Sequence, residues 1–294
     1  VKKCRKSHLA IAFQSPESGE RISLDFLKGD RLKSAWFPTA GSNPKARLRL
    51  FCFHHAGGGA SSFGVWPRRL PAWIEVVSCH LPGHEERLRE ASILQMDQLL
   101  DAILIEMRPL LNQPFALFGH SFGAMIAFYL TRRLRQNSLA LPQRLFVSGC
   151  QPLHLPRRHG PIHNLPQEQF IEQLQRLYEP IPDPILRAPD MLALFARVLR
   201  ADFTVLESAA YYPEPPLACA ISAYAGLDDA EVSSSCLERW SNYTTAQFQS
   251  ALFPGGHLYY RSLSTALFQK LTSDLSASYP GSIDPTVTQT KTGN

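Results

Sequence analysis

Phe115-Ala116-Leu117-Phe118-Gly119-His120-Ser121-Phe122-Gly123 begins as an apolar strand, turns sharply through a G-x-S-x-G sequence, and runs on as an apolar helix from Ala124 to Leu134. A serine hydroxyl is a weak nucleophile and needs to be exposed beside a base. A strand-to-helix turn exposes it, and glycines on either side remove the Cβ atoms that would clash in so tight a bend. The same pentapeptide elsewhere would be a glycine-rich turn with an idle serine. Its place between a strand and a helix makes Ser121 a candidate nucleophile.

Working outward, an apolar run at Arg47-Leu48-Arg49-Leu50-Phe51-Cys52-Phe53 ends at the cluster Gly57-Gly58-Gly59, a strand and loop. Further strands are expected at Ile74 to Cys79, Leu145 to Ser148, Cys219 to Ala225 and Phe248 to Phe253, with a last helix at about Tyr260 to Leu275. Met96, Leu99, Leu100, Ile103, Met107 and Leu110 repeat at helical spacing, so the segment from Met96 to Leu111 is an amphipathic helix. Strands alternating with helices imply a mostly parallel central sheet flanked by helices on both faces.

Between about 151 and 216 the pattern changes to helices at Gln167 to Tyr178 and Met191 to Ala210, separated by proline-rich breaks such as Pro180-Ile181-Pro182-Asp183-Pro184. This reads as a helical insertion in the position of a lid. Its apolar stripe Met191, Leu194, Phe195 and Val198 is a candidate lining for a substrate pocket, or else the seam that holds the insertion on the body. Residues 1–46 show no sustained period and are read as an N-terminal extension of uncertain structure. The organised domain is placed at 47–279, and 280–294 reads as a disordered tail.

A serine nucleophile in this setting needs a base and an acid in the chain order Ser, acid, His. His257, in Pro254-Gly255-Gly256-His257 after the last strand, is the candidate base. The acid that orients the imidazole belongs on the loop after the preceding strand, where Tyr224-Ala225-Gly226-Leu227-Asp228-Asp229 offers two carboxylates, with Asp229 preferred over Asp228. A tetrahedral oxyanion needs backbone N–H donors. The loop Ala56-Gly57-Gly58-Gly59 lets the backbone approach a substrate, and the N–H of Phe122 is the second candidate donor.

Other chemistries fit less well. His80 and His84 have helical i, i+4 spacing, but Leu81-Pro82-Gly83 between them breaks a helix, so no metal site is expected there or with His54 and His55. Cys52 and Cys150 sit in or beside apolar strands with no activating neighbour, as inert core thiols would. The six cysteines form no CxxC pair, which suits free thiols in a reducing compartment. No stretch is long and apolar enough for a membrane span, so a soluble cytoplasmic protein is expected. The net charge of +5 comes from scattered Lys and Arg without a nucleic-acid motif. It favours encounter with an acidic protein instead.

Together these residues resemble the type II thioesterases that accompany nonribosomal peptide and polyketide synthetases, on the α/β-hydrolase fold, and more distantly the animal medium-chain fatty-acyl thioesterase. The resemblance runs over about 47–275. Phe53-His54-His55-Ala56-Gly57-Gly58-Gly59, Phe118-Gly119-His120-Ser121-Phe122-Gly123 and Phe253-Pro254-Gly255-Gly256-His257 are hydrolase features. Leu81-Pro82-Gly83-His84-Glu85-Glu86-Arg87 and Leu199-Arg200-Ala201-Asp202-Phe203 narrow it to this family, with one departure, since His84 stands where the family usually has arginine.

The resemblance implies Ser121 as nucleophile, His257 as base, Asp229 as acid, and Ala56 and Phe122 as oxyanion donors. It implies a cytoplasmic, mostly monomeric enzyme without a cofactor of its own, whose partner is an acyl or peptidyl carrier protein presenting the acyl thioester on phosphopantetheine. Editing of misprimed or stalled carriers is the expected role, and the chain shows no carrier module of its own. An acyltransferase or chain-releasing cyclase would use the same triad. A non-catalytic carrier-binding protein would have lost a triad member, and all three are present.

Overall fold

In the computed structural model, which describes residues 34–178 and 181–279, six parallel strands form one sheet in the order β2-β1-β3-β4-β5-β6. They are β1 (Leu48–Phe53), β2 (Ile74–Ser78), β3 (Phe115–His120), β4 (Arg144–Ser148), β5 (Ala220–Gly226) and β6 (Phe248–Phe253). The first five are buried along their whole length, which is why they read as continuous apolar runs and not as alternating ones. Along β1, Phe51 and Phe53 face one core with α1 (Met96–Met107) and α2 (Phe122–Gln136). Leu48, Leu50 and Cys52 face the other, with Trp66 and the helix Thr265–Ser278.

Pro109 and Leu263 shorten two expected helices. The first continues past Met107 only as a 3-10 turn, and the last begins at Thr265 after a left-handed residue at Leu263. Residues 34–46, read from sequence as part of the extension, pack on the domain. Phe37 is buried edge-on against Phe51, and the Trp36 carbonyl accepts from the His80 N–H. The expected tail at 280–294 and most of the extension lie outside the described residues. Among the described residues no cysteine is in a disulfide, and no helix is long and apolar enough to cross a membrane.

The insertion between β4 and β5 carries α3 (Gln167–Leu177), α4 (Asp183–Leu186) and α5 (Pro189–Ser208), with no strand among its described residues. These helices make a small core of their own from Phe170, Leu174, Ile181, Ala196, Leu199 and Phe203, and Ala56 of the loop after β1 packs against it. Next come α6 (Ser234–Glu238), which periodicity does not reveal, and α7 (Thr265–Ser278). With a parallel sheet, the loops after β1, β3, β5 and β6 all emerge at one end. That end carries the candidate site.

Candidate active site

Ser121 sits between β3 and α2 at φ 54°, ψ −113°, a conformation that costs a non-glycine residue about 1–3 kcal/mol and persists where its surroundings enforce it. Its N–H donates to the Ser148 carbonyl at 2.7 Å. The flanking glycines are obligatory. A Cβ on Gly119 would lie 2.0 Å from the Gly123 carbonyl oxygen, and one on Gly123 would lie 2.1 Å from that of Phe53. The N–H of Phe122, first residue of α2, has no acceptor within its own helix and is free to face an oxyanion.

The loops that carry the candidate acid and base meet through glycine as well. Gly226 at the end of β5 pairs in register with Phe253 at the end of β6, and a Cβ on it would come within 2.2 Å of the Gly256 carbonyl. In this contact Asp229 Oδ2 lies 2.9 Å from His257 Nδ1, while Asp229 Oδ1 accepts from the N–H groups of Glu231 (2.9 Å) and Val232 (3.3 Å). The Asp229 side chain is wholly buried, and its neighbour Asp228 is exposed. Nδ1 of His257 therefore bears the proton shared with the carboxylate. Nε2 is buried without a hydrogen-bond partner, and His257 and Ser121 line the same two cavities.

Two aromatic side chains that sequence alone does not single out flank the His257 ring: His120 at 5.2 Å between centroids, and Tyr178 at 5.6 Å. His120 is fully buried, with Nδ1 2.8 Å from Ser148 Oγ. Burial, and then the charges of His257 and His55, hold its pKa well below the usual range. It is a neutral wall behind the His257 ring.

After β1, Gly57 occupies the left-handed position (φ 72°) of a turn closed by a bond from Gly58 N–H to the His55 carbonyl, and a Cβ on it would strike Leu199 at 2.5 Å. Ala56, whose N–H is the other candidate oxyanion donor, lines the smaller cavity with Ser121.

The two cavities share Ser121, His257, Tyr178 and Leu206. The smaller, of about 100 Å³, is walled mainly by apolar side chains of α3 and α5, including Leu174, Phe195, Leu199 and Phe203. The larger, of about 230 Å³, has walls of mixed polar and apolar character, with the exposed side chains of Arg157, Arg158 and His159 at its rim.

Of the stripe expected to line a pocket, Phe195 faces the smaller cavity and Val198 is buried outside it. Met191 and Leu194 are 53% and 38% exposed, on the outer face of α5. The face that packs is instead Leu192, Phe195, Ala196, Leu199 and Phe203, a second stripe at the same helical spacing.

Of the histidines weighed as metal ligands, His80 lies with Glu85 and Glu86, their ligand atoms within 4.8 Å of one another. His84 turns inward to Asp202, and its ring centroid lies 4.8 Å from that of His54.

A family model described as a thioesterase domain matches residues 48–275. The gramicidin S biosynthesis protein GrsT of Aneurinibacillus migulanus is 41% identical over 224 residues, covering 76% of this chain and 87% of that protein. Among solved structures, the RedJ thioesterase from the prodiginine pathway of Streptomyces coelicolor superposes with a TM-score of 0.71 at 32% identity, over 79% of this chain and 86% of that one. The type II thioesterase BorB from the borrelidin biosynthetic cluster gives 0.69 at 30% identity, over 79% of this chain and 94% of its own.

Proposed function

The chain belongs to the thioesterase domain family, and from that premise we propose that it is a type II thioesterase that removes acyl groups from the phosphopantetheine arm of synthetase carrier proteins. The observation that carries the reading is the buried Asp229–His257 pair, whose Nε2 lacks a partner and which shares its cavities with the strained Ser121.

In the proposed reaction His257 Nε2 takes the Ser121 hydroxyl proton as Oγ attacks the thioester carbon. The N–H groups of Ala56 and Phe122 stabilise the oxyanion, and Asp229 stabilises the imidazolium. The C–S bond then breaks, the sulfur receives the proton from His257, and the arm leaves as a thiol. Water, deprotonated by His257, attacks the acyl-Ser121 ester, and the carboxylic acid departs as Oγ regains its proton. Each step balances without a metal or cofactor. The protein is proposed to act as a cytoplasmic monomer on an acidic carrier partner, with the α3–α5 insertion as its lid.

The apolar cavity under α3 and α5 suits the acyl group, and the larger, mixed one with its arginine rim suits the arm, which brings amides and a phosphate from solvent. An apolar cavity of about 150 Å³ holds benzene, so the smaller one here takes about four carbons.

Tyr178 stands between the two chambers, and Tyr178→Ala should join them. The kcat/KM for octanoyl relative to butyryl thioesters is expected to rise about tenfold, since two further buried methylenes contribute about 1.6 kcal/mol. An unchanged ratio in the folded variant would place chain-length selection elsewhere.

The function is tested by intact-mass spectrometry of a carrier protein loaded with a short acyl group. Loss of the acyl mass with release of the free acid is expected. Transfer to an added alcohol, or a cyclised product, would make the chain a releasing or transferring enzyme. No loss at all would remove the carrier as its substrate.

A further inference from the structure

Asp202 on α5 is 4% exposed, and one of its oxygens ties three separate segments together. Oδ2 accepts from the Gly57 N–H at 2.7 Å, in the loop after β1, and lies 3.0 Å from His84 Nε2, in the loop after β2. The other ring nitrogen of His84 is 3.2 Å from the Pro82 carbonyl. Both nitrogens face acceptors, and only a doubly protonated ring donates to both. The Ala56–Gly57 peptide is planar, so a bond on the Gly57 N–H also fixes the Ala56 Cα. With the Gly58–His55 turn bond behind it, this anchor sets where the Ala56 N–H points.

We infer that Asp202 and His84 are a positioning pair for the oxyanion loop, engaged while the His84 ring is protonated and slack once it loses that proton, so that turnover falls on the alkaline side. The inference rests on the proposed hydrolytic role of Ser121 and Ala56 and adds a residue pair that acts through them.

The charged and titratable groups facing His84 are Asp202 from α5, His54 and His55 from the loop after β1, and Glu85 from its own loop. Burial alone would lower the His84 pKa. The hydrogen bond and charge of Asp202, helped by the Pro82 carbonyl and Glu85, outweigh burial and raise it above 6.5. His54 is held at about 3 by burial and then by the charge of His84, and His55 at about 3 by burial and then by Arg261. Neither of these rings changes charge near neutral pH.

The sign follows from the raised value. The pair contributes fully below the unfolded-state pKa near 6.5, and its contribution is lost as pH rises through the higher folded value. The expected kcat profile therefore falls on the alkaline side.

The test measures kcat and KM for the butyryl thioester of N-acetylcysteamine from acidic to alkaline pH, in wild type, His84→Arg, His84→Gln and Asp202→Asn. Arginine stays charged throughout and glutamine stays a neutral donor throughout, so the alkaline limb should vanish in both, whatever the height of the plateau. If the arginine variant does not fold, the glutamine variant gives the answer. Asp202→Asn should move the limb to lower pH, because His84 loses its acidic partner. It should lower kcat about tenfold or more with KM within about threefold, as expected when a transition-state contact is misplaced.

A wild-type profile that stays flat through alkaline pH would overturn the inference. So would a limb with the same midpoint in the folded His84→Gln and Asp202→Asn variants. Failure of the underlying hydrolytic reading looks different: wild type would not cleave the thioester, or Ser121→Ala would cleave it equally well.

Discussion

Replacing Ser121 by alanine is expected to lower kcat for thioester hydrolysis by about 10⁶-fold, the scale seen when a triad nucleophile is removed from a serine protease. The fold should survive. The substitution deletes one partly exposed oxygen and keeps the backbone bond from residue 121 to the Ser148 carbonyl, so circular dichroism and the melting temperature should match wild type. His257→Ala should lose about as much activity, because an alcohol without its base is a poor nucleophile. The double variant should be scarcely slower than either single one, since residues that act as a unit do not give additive losses. The measurements are single-turnover rates on an acyl thioester and intact mass for an acyl-enzyme, expected in wild type and absent in Ser121→Ala. Near-wild-type rates in the folded serine variant, or losses that multiply in the double variant, would refute the triad.

The sheet was legible because burial on both faces turns parallel strands into unbroken apolar runs such as Leu48–Phe53 and Ala220–Gly226. The serine turn was legible for a related reason. Gly119 and Gly123 each lie where a Cβ would meet backbone, and such positions leave a mark at fixed spacing in the sequence. Periodicity failed on α5, where two apolar stripes share one helix. Met191 and Leu194 satisfy helical spacing as well as Leu192, Leu199 and Phe203 do, and only the docking of α5 on α3 and Ala56 selects the second set. The contact of Asp202 with His84 and Gly57 joins residues far apart in the chain and has no period at all. The motifs around Leu81 and Leu199 marked these residues, but the bond between them appears only in three dimensions. Tyr178 escaped for the same reason, as its place beside His257 depends on how α3 ends.

Asp228 and Asp229, of which the sequence reading prefers the second, show how a single backbone contact gives two neighbours different surroundings. Gly226 brings the β5 loop against the carbonyls of Gly255 and Gly256. The Asp228 N–H then bonds the Gly255 carbonyl, which leaves the Asp228 side chain in solvent and turns that of Asp229 inward. In Asp229→Asn the amide cannot satisfy everything around it. If its oxygen keeps the Glu231 and Val232 N–H groups, its NH₂ faces His257 Nδ1 and forces that nitrogen to accept, which moves the ring proton to Nε2, where the base must be free. If it flips, NH₂ meets two N–H donors inside a buried site. Either way kcat should drop about 10⁴-fold, with little change in KM. Asp228→Asn alters an exposed side chain and should stay within about twofold of wild type, the range of surface substitutions worth no more than about 0.5 kcal/mol. Parallel kcat measurements on the two folded variants decide the matter. A large loss in Asp228→Asn with a small one in Asp229→Asn would transfer the acid's role to Asp228, and would require the loop to rearrange when substrate binds.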